Sequence, residues 1–304
     1  MSNSGKDDPK FIAGMSGLVW SNAAAPASNT KPGEGRPIQS TLAEGYGSPV
    51  SDPDLADDVR VHRIMPFAGR GLESVVANQE LVLVTPDLWS DKHEGFLAQE
   101  LKTRAGISKV ALLLQQKGLG LHPSLTAAML HEFLQGTYMQ CWTAAAEKPS
   151  MWGEYSGDGA SVRVTTTLGK IRRAAYLGIY KVEYRDTLSL EEEIEQIFPT
   201  PDLLLQLSYP QIFRRKRKKY DYEEEIRLMH CNVGFTNSSS NPKLYPISFA
   251  HVADFIESVV VDPRATDDVT SVIEKFCTDN GIAFAGRSSL QMPVNSGDSN
   301  AVTD

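Results

Sequence analysis

Apolar residues between positions 57 and 285 recur with two periods. They alternate in some stretches and stand three and four apart in others, which predicts strands and helices in turn. Val59–Met65 reads as a first strand closed by Pro66, and Gly69-Arg70-Gly71 makes a turn before Leu72–Asn78. Leu81-Val82-Leu83-Val84 reads as a second strand, and its unbroken apolar run predicts burial on both faces. A helical region follows from Lys92 to Arg104 and resumes over Val110–Gln116. Pro123-Ser124 opens another helix, with Leu125, Met129, Leu130, Phe133 and Leu134 at helical spacing. Tyr138–Thr143, Ser161–Thr167 and Tyr176–Tyr184 read as strands. Ser189 with Glu192 three residues on forms a capping box for a helix to Ile197, and Pro199 and Pro201 end it.

The last part of this stretch forms a strand-helix-strand unit. Ser258-Val259-Val260-Val261 reads as a buried strand, and Thr266 as the N-cap of a helix with Asp267 and Asp268 in its first turn. Val269, Val272, Ile273 and Phe276 line that helix's apolar face; Asn280-Gly281 stops it, and Ile282-Ala283-Phe284 returns as a strand. Together these elements predict an α+β fold: a single domain over 57–285 with a mixed, mainly antiparallel central sheet flanked by helices. Residues 1–56 and 286–304 are rich in Ser, Asn, Ala, Gly and Pro and cannot bury enough apolar surface to offset chain ordering, so they read as disordered tails. Phe11–Trp20 is an apolar island in the first of them, either a docking peptide or an incidental patch.

Composition narrows the class of protein without naming it. With 304 residues and 41% hydrophobic content, the chain can bury an ordinary globular core. A net charge of -8 argues against a surface that coats nucleic acid generally, but leaves a local basic patch open. No apolar run approaches the roughly 20 residues that span a bilayer, so no membrane segment is expected. Met1–Lys10 mixes lysines with aspartates and is not a signal peptide. Cys141, Cys231 and Cys277 lie far apart without Cys-x-x-Cys spacing, which indicates neither a disulfide framework nor a zinc site and makes the cytoplasm the expected setting.

One segment breaks the apolar pattern. Tyr222-Glu223-Glu224-Glu225-Ile226-Arg227-Leu228 carries three acids and an arginine, then continues as Met229, His230, Cys231 and Val233. On a strand, Glu223, Glu225 and Arg227 share one face while Ile226 and Leu228 take the other, so two carboxylates and a guanidinium converge. Such a group is either a solvated face or the wall of a polar cleft. Immediately before it, Arg214-Arg215-Lys216-Arg217-Lys218-Lys219 is a run of six basic residues. It reads as a loop that captures the phosphates of a dinucleotide or nucleic acid, or as a solvated loop that balances the acids.

Four segments, in order, resemble the domain of unknown function 2971 family of bacterial and phage proteins. They are Val61-His62-Arg63-Ile64 through Leu81–Val84 to Trp89-Ser90-Asp91-Lys92-His93-Glu94; Cys141-Trp142-Thr143 with Met151-Trp152-Gly153-Glu154-Tyr155; Tyr222-Glu223-x-Glu225-x-Arg227; and the closing unit from Val259 to Ile282. Ser90, Lys92 and Ile226 stand where the family usually shows Asn, Pro and Trp. The order is also similar to that of ADP-ribosyltransferases, with an early His or Arg strand, a middle strand of small hydroxyl residues and a late Glu-x-Glu strand. That likeness implies NAD as a substrate, with His62 or Arg63 anchoring the dinucleotide, since only one of two neighbours on a strand can face a cleft. Glu225 would stabilise the oxocarbenium-like transition state, and Glu223 would orient or deprotonate the acceptor. Thr143 is the favoured middle-strand hydroxyl, with Val164-Thr165-Thr166-Thr167 the competing segment.

Trp152 and Tyr155 share a helical face and suit stacking on nicotinamide or a base, or core packing. Arg227, Arg214, Arg215 and Lys216 are the candidate substrate-binding cations, although Arg227 also suits neutralising its two acids. This reading is an NAD-dependent transferase of ADP-ribose onto a nucleic acid or protein, acting in phage-host conflict. Two others stand beside it: a noncatalytic nucleic-acid- or protein-binding module using residues 214–219, and a metal-dependent nuclease using Asp91, Glu94, Glu223 and Glu225. His131-Glu132 lacks the second histidine of a zinc protease helix, and neither a dinucleotide glycine fingerprint nor a phosphate loop is present.

Overall fold

The computed structural model describes residues 51–88, 95–119, 122–156, 159–186, 189–199, 209–231 and 243–292, all within the unit Pro49–Asp304. Residues 1–50 and 293–304 of the tails expected over 1–56 and 286–304, and Asp91 and Glu94 of the nuclease reading, lie outside the described residues.

The strands are β1 (Arg60–Pro66), β2 (Glu80–Val84), β3 (Thr137–Thr143), β4 (Ser161–Thr167), β5 (Gly178–Lys181), β6 (Glu183–Arg185), β7 (Arg215–Arg217), β8 (Glu225–Cys231), β9 (Leu244–Ser248), β10 (Ser258–Val261) and β11 (Phe284–Arg287). The helices are α1 (Leu72–Asn78), α2 (Phe96–Glu100), α3 (Arg104–Gln116), α4 (Pro123–Gly136), α5 (Pro149–Tyr155), α6 (Leu168–Ala174), α7 (Leu190–Ile197), α8 (Val252–Phe255) and α9 (Asp267–Asp279). The main sheet runs β11-β10-β4-β1-β3-β2-β9, with β8 against β3 and β5 against β8. Its ladders are antiparallel except β10–β11, while β6 and β7 form a separate parallel pair. This is the mixed, mainly antiparallel α+β sheet that the pattern predicts.

The sheet branches at β3. One edge of β3 pairs with β8 along its whole length, from Thr137↔Cys231 to Thr143↔Glu225. Its other edge is divided, meeting β1 only at His62↔Thr143 and β2 only at Val84↔Met139. Between those rungs the sheet opens, and side chains fill the gap: the Arg63 guanidinium donates to the Cys141 carbonyl, and Gln140 Nε2 donates to the Val82 carbonyl at 3.1 Å.

Period-2 alternation puts a different core on each face. Trp142, Ile226 and Leu228 join Val61, Val162, Val164, Val259 and Val261 beneath α1, α6, α8 and α9. Met139 and Met229 face the other way, with α2, α3, α4 and α7. Local signals hold where they are strong: Ser189 and Glu192 form the reciprocal capping box of α7, and the Thr266 side chain accepts from Val269 N to cap α9.

Several expectations need correction. β2 buries Leu81 and Leu83 but leaves Val82 38% exposed, because that side borders the opening in the sheet. Tyr176–Tyr184 is not one strand: β5 ends at Lys181, Val182 N donates to the Glu225 carbonyl at 2.9 Å, and β6 joins the second sheet. The acidic strand starts later than its pattern suggests, since Lys218–Glu223 is a 3-10 turn and Glu224 takes a left-handed conformation (φ 43°) before β8. The structured part is also wider than 57–285. Asp52 N donates to the Ile179 carbonyl at 3.0 Å and Leu55 is buried, while β11 and Ser288, whose N donates to the Val261 carbonyl at 2.9 Å, extend the other end. The edge strand β9 carries Pro246, which its pattern conceals and an edge tolerates.

Candidate functional site

Register places a row of polar residues across five strands: Ser258↔Thr165, Thr165↔His62, His62↔Thr143 and Thr143↔Glu225. Residues directly opposite in an antiparallel ladder share a face, so these side chains rise from one side of the sheet. His62 and Glu225 are two strands apart, roughly 10 Å between backbones at ~4.8 Å per strand. The two middle segments that compete in sequence both flank β1, with Thr143 on one side and Thr165 on the other.

The row borders a cavity of about 330 Å³ at the opening of the sheet. Its polar end is lined by His62, Arg63, Thr143, Tyr155, Lys216, Glu223 and Glu225, and its apolar end by Val82, Val84, Leu88 and Met139. Leu88 on the apolar side is 47% exposed and Tyr155 on the polar side 44%.

At the polar end the charges are buried and paired. Arg227 Nε donates to Glu225 Oε1 at 2.8 Å, and Lys216 Nζ reaches Glu223 Oε2 at 2.6 Å and Glu225 Oε2 at 3.2 Å. Burial would raise the Glu225 carboxyl, but Arg227 and then Lys216 outweigh it and hold it down to about 2. For Glu223 burial wins over Lys216, and its pKa is raised. The Tyr155 hydroxyl donates to Glu223. Glu225 N donates to the Tyr184 hydroxyl at 2.8 Å, and the Thr143 hydroxyl donates to the Glu223 carbonyl while accepting from Ala145 N at 3.0 Å. Thr143 is therefore occupied in fixing the turn that delivers both acids.

Two strands from Glu225 along the row, His62 Nδ1 lies 2.9 Å from Thr165 Oγ1. Burial first, then Arg163 and Arg60, lower its pKa to about 4, so it is a neutral ring at pH 7. Arg63 borders the same cavity, and so neighbours on one strand both reach it. The opening beside β3 makes this possible, because Arg63 turns into the gap to meet Cys141.

The structure thus brings together His62, Arg63, Thr143, Tyr155, Lys216, Glu223 and Glu225, and sets four other candidates apart. Trp152 is fully buried with its indole N–H donating to Glu147 at 2.6 Å, which makes it a packing residue. Arg227 is 0% exposed behind Glu225 and is not a lining residue. Arg214 pairs with Asp52 at 2.9 Å, and Arg215 donates to Gln196 at 3.0 Å. The basic run is a strand and a turn rather than a solvated loop, with Arg215 and Lys216 buried and Lys218 and Lys219 exposed. Tyr184, Gln140 and the apolar wall carry no recognisable signal in sequence, because nonlocal pairing alone brings them to the site.

Among the described residues no group of three His, Cys, Asp or Glu side chains is placed to hold a metal ion, and the Lys216 ammonium lies between Glu223 and Glu225. No helix among them is long and apolar enough to cross a membrane.

No family model matches the chain, so the resemblance to the domain of unknown function 2971 family stands on its motifs alone. No curated protein matches it either. Among solved structures it is similar to Thermus sp. 2.9 DarT in complex with NAD+, at 10% identity and a TM-score of 0.32, covering 77% of this chain and 96% of that one. It is also similar to Thermus sp. 2.9 DarT in complex with ADP-ribosylated ssDNA, at 12% identity and a TM-score of 0.31, covering 80% and 97%. These scores are too low to show a shared fold.

Proposed function

We propose that the protein is an NAD-dependent ADP-ribosyltransferase-like enzyme that modifies a nucleic acid or protein. One observation carries the reading: His62 and Glu225 lie on a single cross-strand row in the wall of one cavity. The volume, about 330 Å³, is at the small end of ligand pockets and suits the nicotinamide-ribose half of the dinucleotide, with the remainder crossing the exposed rim. The DarT structures hold NAD+ and ADP-ribosylated ssDNA, but at their TM-scores that likeness supports no part of the reading.

In this reaction the bond between ribose C1′ and the nicotinamide nitrogen breaks, and its electron pair leaves with nicotinamide. A nucleophile of the acceptor forms the new bond to C1′, and its proton passes to Glu223. Glu225, held as an anion, stabilises the positive charge that develops on the ribose ring. Glu223, whose carboxyl burial pushes up, is the acid of the pair that more readily takes up a proton. Neutral His62 and the half-buried Arg63 hold the dinucleotide, and Tyr155, 44% exposed, borders the acceptor's approach. Steering of an anionic acceptor falls to the exposed end of the basic run, Lys218 and Lys219, since Arg214 and Arg215 are engaged elsewhere. We place the activity in the cytoplasm and in phage-host conflict, following the motif resemblance.

Incubation with labelled NAD and cell lysate tests this. Label transfer is expected, and Glu225→Gln should reduce it by about 10²–10³-fold, the usual cost of removing one preorganised stabilising group. Absence of NAD turnover by the wild-type protein under all conditions tried would overturn the reading.

A further inference from the structure

Lys216 stands in a run that looks built for solvent, yet its side chain is only 2% exposed. Strand β7 carries it inward, where it pairs with Tyr184 across the parallel β6–β7 ladder. These two ladder partners then grip the same residue: the Tyr184 hydroxyl accepts from Glu225 N, while the Lys216 ammonium meets the Glu225 carboxylate. The same ammonium is 2.6 Å from Glu223 Oε2, so one cation is shared by two acids whose other partners differ. Glu225 has a second cation, Arg227, at 2.8 Å, whereas Glu223 has the uncharged Tyr155 hydroxyl.

We propose that Lys216 is a positioning residue that holds the two acids on one ammonium, so that Arg227, which meets Glu225, fixes that acid as the anion and leaves Glu223 as the group that takes up a proton. This rests on the transferase reading of the site. The opposite directions of the two pKa shifts agree with it. Besides each other and Lys216, the titratable groups that face the acids include Arg227 on β8, Cys141 on β3, Arg63 on β1, Tyr155 on α5, Tyr184 on β6 and Tyr222 in the turn before β8. Arg227 and Arg63 are cationic and burial pushes the tyrosine hydroxyls up, while Lys216 is the cation that touches both carboxylates.

The test follows carboxyl signals of ¹³C-labelled glutamate through a pH titration of the full chain, with Glu223→Gln and Glu225→Gln to assign them. In the wild type, Glu225 should titrate well below Glu223. Lys216→Gln should move both upward by about one pH unit or more, the usual effect of losing an opposite charge at contact distance. The acid limb of kcat/KM for NAD should move with them, and Lys216→Arg should restore both. Should Lys216→Gln fail to fold, the charge-balanced pair Lys216→Gln/Glu223→Gln should still raise the titration of Glu225. Wild-type titrations that coincide, or that stay in place when Lys216 is replaced, would overturn the proposal. Separated titrations without any NAD turnover would overturn the transferase reading instead.

Discussion

Two members of the polar row, His62 and Glu225, handle burial in opposite ways. At Glu225, desolvation is outweighed by two cations and the group stays charged, with a pKa of about 2. At His62, desolvation and two nearby arginines act together, and the ring stays neutral, with a pKa of about 4. The same low-polarity wall therefore yields a fixed charge where partners are built in and a neutral hydrogen-bonding ring where they are not. For a reaction that develops positive charge at one point, this is a useful asymmetry: a fixed anion at Glu225 and an uncharged ring at His62.

Replacing Arg227 breaks the comparison most sharply. Arg227→Met leaves a buried carboxylate without its closest cation and should cost ~3–5 kcal/mol in urea unfolding. Adding Glu225→Gln to that variant should recover much of the loss, because the stranded charge is gone. If the double variant is no more stable than the single one, Arg227 serves packing rather than charge.

Thr143→Val tests the middle of the row. It removes the hydroxyl that ties the Glu223 carbonyl to Ala145 N and should cost ~1–3 kcal/mol, read from the shift in urea midpoint. NAD turnover should fall more than stability alone explains, since the turn at Glu224 loses its clamp.

The pH dependence of stability gives the smallest and most diagnostic effect. Glu225 has a folded pKa below its ordinary value of 4.5, so its contribution is present above pH 4.5 and lost as pH falls towards 2. His62 has a folded pKa below its ordinary 6.5, so the unfolded chain binds more protons between pH 6.5 and 4 and stability falls across that window. His230, likewise lowered to about 4 by burial, acts in the same direction. His62→Gln should therefore lessen the fall in melting temperature over that window, at ~2–4 °C for each ~1 kcal/mol in a domain of this size. An unchanged slope would mean that His62 titrates normally.

Much of this site can be read in sequence, because charges interrupting apolar strands are conspicuous. His62, Glu223 and Glu225 stand out for that reason, and Tyr155 follows from helical spacing. What cannot be read is pairing between distant strands. The meeting of β1 with β3 at a single rung creates the cavity, and no local pattern records it. Lys216 shows the opposite difficulty: among five other basic residues it looks solvated, and only the β6–β7 ladder turns it inward. Trp152 shows that a helical face alone does not distinguish a stacking ring from a packed one.

The central claim is that NAD reacts at the His62–Thr143–Glu225 row. A crystal structure of the Glu225→Gln variant with NAD tests it most directly. The account predicts the nicotinamide-side ribose within hydrogen-bond reach of residue 225, with the dinucleotide contacting His62 in the same cavity. NAD bound on another face of the sheet, with this cavity left to solvent, would contradict it.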